Sequence, residues 1–301
     1  MKDPRQRQLL VLCLATVYIV WGTSYMATRV GVLHLPPLLF GGLRFVLGGL
    51  LLLAVALWRG FTLAQLNGQW SHVLIMSLLG VAGCNGLHVW AMQWVPSHTS
   101  ALLNASSALW IVVFGLFGAR AHRPGPRATL GLLVGFAGTA LLIWPGAHTA
   151  NVAQTPVLPQ LVILTACIIW SLGTIYMRNH TVQLDLVALV ALQMLIGGVW
   201  MALFGLASGE LQRWNWEAPG MIALIYLTLF SSCLAYLAYA WLARHATPAQ
   251  VGTYSYVNPA LAAVVGFIAL GERLSPLQML GGAIILGGVL MINWPEASRA
   301  A

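Results

Sequence analysis

One arginine, Arg44, lies inside an apolar run that covers roughly residues 36–58. At 1.5 Å per residue it stands about 13 Å from the start of that run, close to the middle of a hydrocarbon layer about 30 Å thick. A charge at that depth is costly and needs a reason. One reason is chemistry, because a guanidinium can grip a carboxylate through a bidentate pair. The other is structural: an arginine satisfied by neighbouring carbonyls that braces two helices. Two polar stripes accompany it. Ser100, Asn104, Ser107 and Ile111 follow steps of four, three and four residues and share one helix face. Val251, Ser255, Asn258 and Ala262 repeat that face later in the chain. These stripes suit either cavity walls or hydrogen bonding between membrane helices. Pro259 after Asn258 has no N–H and so deprives a carbonyl of its helix partner, which favours a lined cavity there.

Asn85 and His88 are three apart and share a face. His88 is read either as a core histidine or as a group that contacts a solute and titrates with it. Trp21 with Tyr25, and Trp170 with Thr174, form two aromatic faces at matching positions. Such walls suit apolar or aromatic solutes, and a ring face can hold an amine by cation–π attraction. The parts needed for covalent chemistry are missing. No acid pair, His/Cys ligand cluster, nucleophile elbow or phosphate loop is present, so no catalytic residue, metal or cofactor is expected.

The elements that must position these residues follow from composition. Only 7% of the 301 residues are charged and 59% are hydrophobic, against about 25% charged in an ordinary soluble domain. A soluble enzyme or a nucleic-acid binder is a poor reading despite the net charge of +8. Ten apolar runs are long enough to cross a bilayer, near 9–29, 36–58, 71–93, 99–119, 127–145, 158–178, 184–206, 219–242, 248–270 and 276–294. The basic start Lys2, Arg5 and Arg7 is like that of a signal peptide, but the run continues through Trp21 and Tyr25 with no convincing cleavage site and is read as a helix. With the N-terminus inside, Lys2, Arg5, Arg7, Arg59, Arg120, Arg123, Arg127, Arg178, Arg244 and Arg299 fall inside, and Arg29, Arg213 and Arg273 outside. This asymmetry predicts both termini in the cytoplasm. Trp214 and Trp216 read as interface anchors.

A shift of 149 residues aligns the two halves of the chain. Trp21 falls on Trp170, Arg44 on Gln193, Gly48-Gly49 on Gly197-Gly198 and Cys84 on Cys233. A shift of 151 places Asn104 on Ser255 and Ser107 on Asn258. Five helices per half make the second half enter from the opposite side of the membrane, the inverted repeat of many secondary transporters. The expected fold is therefore an all-α polytopic membrane protein: ten transmembrane helices as two inverted five-helix repeats, residues 1–146 and 147–301. The capping boxes Thr247-Pro248-Ala249-Gln250 and Ser275-Pro276-Leu277-Gln278 are expected to start the last two helices. Glu272 with Arg273 between them is read as a local brace.

The stretch Tyr18-Ile-Val-Trp-Gly-Thr-Ser-Tyr25, Pro36-Pro37 with Gly41-Gly42-Leu43-Arg44-Phe45, and Gly271-Glu272-Arg273-Leu274-Ser275 with Gly281-Gly282 resemble the EamA domain of the drug/metabolite transporter superfamily. The likeness runs over nearly the whole chain and departs at Ala119-Arg120-Ala121-His122-Arg123, where the second repeat has its Gly-Glu-Arg turn. It implies a ten-helix inner-membrane carrier, with helices 5 and 10 peripheral, exporting amino acids or related small metabolites. The expected partners are a small-molecule substrate and the lipid bilayer, with no nucleic acid, and one monomer suffices. The site residues are Trp21, Tyr25, Arg44, Asn85, His88, Asn104, Ser107, Trp170, Gln193, Ser255 and Asn258. A proton-coupled drug or cation exporter is the nearest alternative, and a membrane-embedded lipid-modifying enzyme is the alternative from another class. With no acid near a midplane, facilitated diffusion is favoured over proton antiport.

Overall fold

The computed structural model describes residues 4–117, 124–144, 155–180, 182–246 and 248–293. All ten apolar segments are helical there. They are α1 (Pro4–His34), α2 (Pro37–Trp58), α3 (Trp70–Ala91), α4 (Ser97–Ala105 continued by Ser107–Phe114), α5 (Pro126–Ile143), α6 (Val157–Asn179), α7 (Leu186–Ala207), α8 (Ala218–Leu242), α9 (Gln250–Leu270) and α10 (Pro276–Asn293). Among the described residues eight are long and apolar enough to span a membrane, and the exceptions are α4 and α10. α4 breaks at Ser106, whose N–H donates to the Leu103 carbonyl three residues back at 3.0 Å. α10 is a shorter apolar helix. The motif Ala119 to Arg123, apart from its neighbours, and Thr247 of the first capping box lie outside the described residues.

Local chemistry sets the helix ends. Prolines stand in the first turn of α2, α5 and α8, where the missing N–H is harmless. The Asp185 carboxylate caps α7, accepting from Val187 N at 3.0 Å and Ala188 N at 3.3 Å. Ser275 and Gln278 form the expected reciprocal box: Gln278 N donates to Ser275 Oγ at 3.1 Å, and Ser275 N to Gln278 Oε1 at 2.9 Å. Gly271, with φ +63°, ends α9 in the left-handed conformation.

The main helix packings survive exchange of each helix with the one five places on. α2 packs on α7 and α5 on α10, each pair mapping onto itself. α1 packs against α8 and α9 as α6 packs against α3 and α4. The chain thus forms two five-helix repeats related by an approximate twofold. Backbone-close glycines hold the α2–α7 seam. A Cβ at Gly42 would stand 2.6 Å from Ala202 N and 2.9 Å from the Gly198 carbonyl, so the helices can approach only because no side chain intervenes. Gly42→Ala is expected to cost about 1–3 kcal/mol through overpacking and to lower the thermal midpoint of the detergent-purified protein. Gly287→Ala, where a Cβ meets nothing within 4 Å, serves as the comparison; equal midpoints for the two variants would contradict this account of the seam.

One departure from regular helix was not foreseen. α3 contains a π-helical stretch, Ser77–Gly83, and α8 contains another, Leu227–Ala235. These are the symmetry-related helices of the two repeats. A π turn changes which side chains face inward and frees backbone groups, and such turns gather at functional sites.

Candidate functional site

A polar chamber of about 110 Å³ lies between the repeats. Nine of the eleven residues singled out from the sequence line it: Trp21, Tyr25, Arg44, Asn85, His88, Asn104, Ser107, Trp170 and Asn258. Gln193 and Ser255 line a larger neighbouring cavity of about 910 Å³ instead. Gln193 faces α3, where its Nε2 meets the Met76 sulfur at 3.6 Å. Sequence equivalence within a repeat does not carry Gln193 to the position of Arg44, because the pseudo-twofold places it across the seam. Trp170, Tyr236 and Tyr254 line both cavities and so form their common wall.

Arg44 is 6% exposed. Its Nε donates to Ser232 Oγ at 2.8 Å and its Nη2 to Ser231 Oγ at 2.9 Å. The guanidinium carbon lies 4.7 Å from the Phe45 ring centroid. Both serines come from the π-helical stretch of α8. They fix one side of the fork, while Nη1 makes no hydrogen bond among the described residues. Arg44 is therefore a brace between α2 and α8 and also a preorganised cation beside the chamber. Among the described residues the chamber wall contains no carboxylate to neutralise that charge.

The other polar residues differ in how far they are committed. Asn85 Nδ2 donates at 2.8 Å to the Gly80 carbonyl, five residues back in the π-helical stretch. His88 Nε2 is paired with Ser100 Oγ at 2.9 Å, and its ring lies 5.8 Å from that of Tyr25. Asn104 Nδ2 donates to the Tyr25 hydroxyl at 2.5 Å. Ser107 Oγ reaches Asn104 Oδ1 at 3.5 Å. Asn258 Oδ1 is buried without a hydrogen-bond partner among the described residues. Trp21 and Trp170, the repeat-related pair, converge on one aromatic cluster. Trp21 lies 5.9, 5.0 and 5.6 Å from Tyr236, Tyr239 and Tyr254, and Trp170 lies 6.4 and 6.0 Å from Tyr236 and Tyr239.

The larger cavity runs from this cluster to the α6–α7 and α8–α9 connections, past His180, Leu186, Ala246 and Val251. This is the end at which α1 begins, since Leu10, Cys13 and Val17 pack there against Ala238, Tyr239 and Leu242. Long-range bonds link separate elements at the opposite end. The Glu272 carboxylate, in the α9–α10 turn, accepts from Ser97 N at 3.0 Å, Ser97 Oγ at 2.6 Å and His98 Nδ1 at 2.9 Å. Burial pushes the Glu272 carboxyl up, but the hydrogen bonds from His98 and Ser97 outweigh it and bring it down to about 2. Glu272 is thus no local partner of Arg273; it fastens the α9–α10 turn to the start of α4. Glu210 Oε2 likewise accepts from Leu39 N at 2.8 Å, and Arg29 donates to the Met92 carbonyl.

Sequence reasoning missed Ser231, Ser232, Tyr236, Tyr239, Glu210 and this role of Glu272. The one available signal for the serines was a polar pair inside an otherwise apolar run, next to the aligned Cys233.

The sequence model of the EamA-like transporter family matches this chain twice, over residues 8–144 and 158–294. A protein of Escherichia coli (strain K12) named as an uncharacterized inner membrane transporter, YedA, is 34% identical over 292 residues, covering 96% of this chain and 92% of that one. The transporter YvbV of Bacillus subtilis (strain 168), also named as uncharacterized, is 28% identical over 300 residues, with 99% and 95% covered. A solved crystal structure superposes with a TM-score of 0.68 at 24% identity, over 94% of this chain and 95% of that chain, a likeness of fold alone. With two family matches, a relative above 30% identity and a cavity pair between two helical repeats, the chain belongs to the EamA-like family of the drug/metabolite transporter superfamily and is a multi-pass membrane transporter.

Proposed function

We propose that this transporter carries small amphipathic metabolites bearing a carboxylate, amino acids foremost, outward across the cytoplasmic membrane by alternating access. One observation carries the reading: Arg44, positioned by Ser231 and Ser232, stands beside an acid-free chamber between the repeats with Nη1 unengaged. A cation in low dielectric with no protein counter-charge favours an anionic ligand group. The same charge disfavours cationic drugs. The aromatic wall shared with the larger cavity supports an apolar side chain on the solute.

The basic-residue asymmetry supports placing both termini, and the mouth of the larger cavity, in the cytoplasm. Bonds from Glu272, Glu210 and Arg29 at the far end then describe an inward-open state closed to the outside. Movement of one repeat against the other would exchange the two. The absence of an acid from the described residues of the chamber wall supports facilitated diffusion over proton antiport, with His88 the histidine in that wall. A single monomer holds both halves of the chamber.

The test is efflux of labelled amino acids from proteoliposomes, with and without a pH gradient. Flux above empty liposomes that persists without the gradient is expected. A broad panel giving no flux would sink the amino-acid reading, and flux that vanishes with the gradient would replace uniport by antiport.

A further inference from the structure

The two symmetry-related polar stripes use their amides differently. On α4, Asn104 is committed within the protein: its Nδ2 donates to Tyr25, and its Oδ1 accepts from Cys167 Sγ at 3.4 Å and from Ser107 Oγ. On α9, Asn258 is 3% exposed and its Oδ1 has no partner among the described residues. Of the unpartnered buried side-chain atoms in the described residues, this is the one on a residue that lines the chamber beside Arg44. Native proteins rarely leave a buried amide oxygen unpaired without a use for it. Pro259, next in the helix, cannot donate to the Ser255 carbonyl, so the same turn offers a second acceptor lacking its usual helical donor. The chamber therefore combines an unengaged guanidinium nitrogen with an unpaired neutral acceptor, and has no carboxylate to hold an amine.

We propose that Asn258 determines specificity by accepting an N–H from the substrate's ammonium group, so that the site selects amine-bearing zwitterions over plain carboxylates. This rests on the reading that Arg44 holds the carboxylate. A neutral acceptor suits a chamber that also holds Arg44: an acid there would offset the positive charge that attracts the carboxylate, whereas an amide oxygen binds the ammonium without doing so. An amide oxygen receiving a charged donor forms the stronger class of hydrogen bond.

The experiment measures dissociation constants on the purified full-length transporter for leucine, its α-hydroxy analogue and its deaminated analogue isocaproate. Wild type is expected to bind leucine at least about tenfold more tightly than either analogue, the worth of one hydrogen bond to a charged group. Asn258→Ala and Asn258→Leu are each expected to bring that ratio to about one by weakening leucine alone. Equal affinity of wild type for leucine and isocaproate overturns the proposal while leaving the carboxylate reading intact, and this arm needs no variant to fold. Binding of the hydroxy analogue by wild type as tightly as leucine overturns the ammonium assignment. A folded variant that keeps the preference overturns the role of Asn258. Failure of all three ligands to bind wild type removes the carboxylate reading, and this proposal with it.

Discussion

Proteoliposomes containing Arg44→Gln are expected to lose most transport of carboxylate-bearing solutes while keeping residual flux of neutral ones. Glutamine can still donate to Ser231 or Ser232, so much of the bracing between α2 and α8 survives. The positive charge and the second fork nitrogen do not. A hydrogen bond to a charged group is worth about 1.5–3 kcal/mol, so kcat/KM for a carboxylate is expected to fall by about ten- to a hundredfold. The split between solutes is what separates binding from bracing. If Arg44 merely joins two helices, anionic, neutral and cationic solutes should lose transport in equal proportion, with a lower thermal midpoint. Arg44→Lys adds a second check. It keeps the charge but cannot reproduce two fixed directions of donation, so only partial recovery is expected.

Glu272→Ala should have the second large effect, on which end of the transporter is open. The carboxylate satisfies the N–H of Ser97, the hydroxyl of Ser97 and the imidazole of His98 in a site where both partner residues are buried. Removing one partner of such a buried, charge-assisted set costs about 2–5 kcal/mol, comparable with the few kcal/mol that separate two conformations of a switching protein. The form closed at this end should lose population. A cysteine at the buried Thr99 reports it, since attack by a membrane-impermeant maleimide should rise by about tenfold or more in Glu272→Ala. Gly266→Ala gives an independent route with every charge retained. Its Cβ would come within 2.7 Å of Glu272 Oε2 and 2.8 Å of Ser97 Oγ, forcing the latch apart. Unchanged labelling in both variants would mean that Glu272 is not a latch.

The pH dependence of that latch has a definite sign. A carboxyl brought down to about 2 from an ordinary 4.5 stabilises the closed end above the ordinary value and loses that contribution as pH falls from about 4.5 towards 2. Between about pH 6 and 8 Glu272 stays charged and contributes a constant amount. A step in labelling or transport between about pH 6 and 8 would therefore not come from Glu272.

Much of this protein was legible before folding. Membrane residence, the count of apolar segments, the duplication and the capping box at Ser275–Gln278 follow from hydropathy and spacing, which act over a few turns of helix. The depth of Arg44 and the periodic faces of Asn104 and Asn258 are local in the same sense, and nine of the eleven singled-out residues share one chamber. The partners were not legible. Arg44 meets Ser232 across 188 residues, and Ser97 meets Glu272 across 175. Which residues meet across such gaps depends on the rotation of each helix, and the π-helical stretches in α3 and α8 alter that rotation without any glycine or proline rule announcing it.

The sequence by itself determined the solvent, the helices and the doubled architecture, because the cost of placing polar groups in hydrocarbon constrains composition residue by residue. Only the tertiary structure decided how the rare polar groups pair. It made Arg44 a serine-held cation with one free nitrogen, and it turned Glu272 from a turn residue into the tie between the α9–α10 turn and the start of α4. It also sent Gln193 and Ser255 to the larger cavity and left Asn258 unpaired beside the chamber. Pairing across a membrane bundle is fixed by close packing of glycine-lined helices, a property of two surfaces in contact that neither segment carries alone.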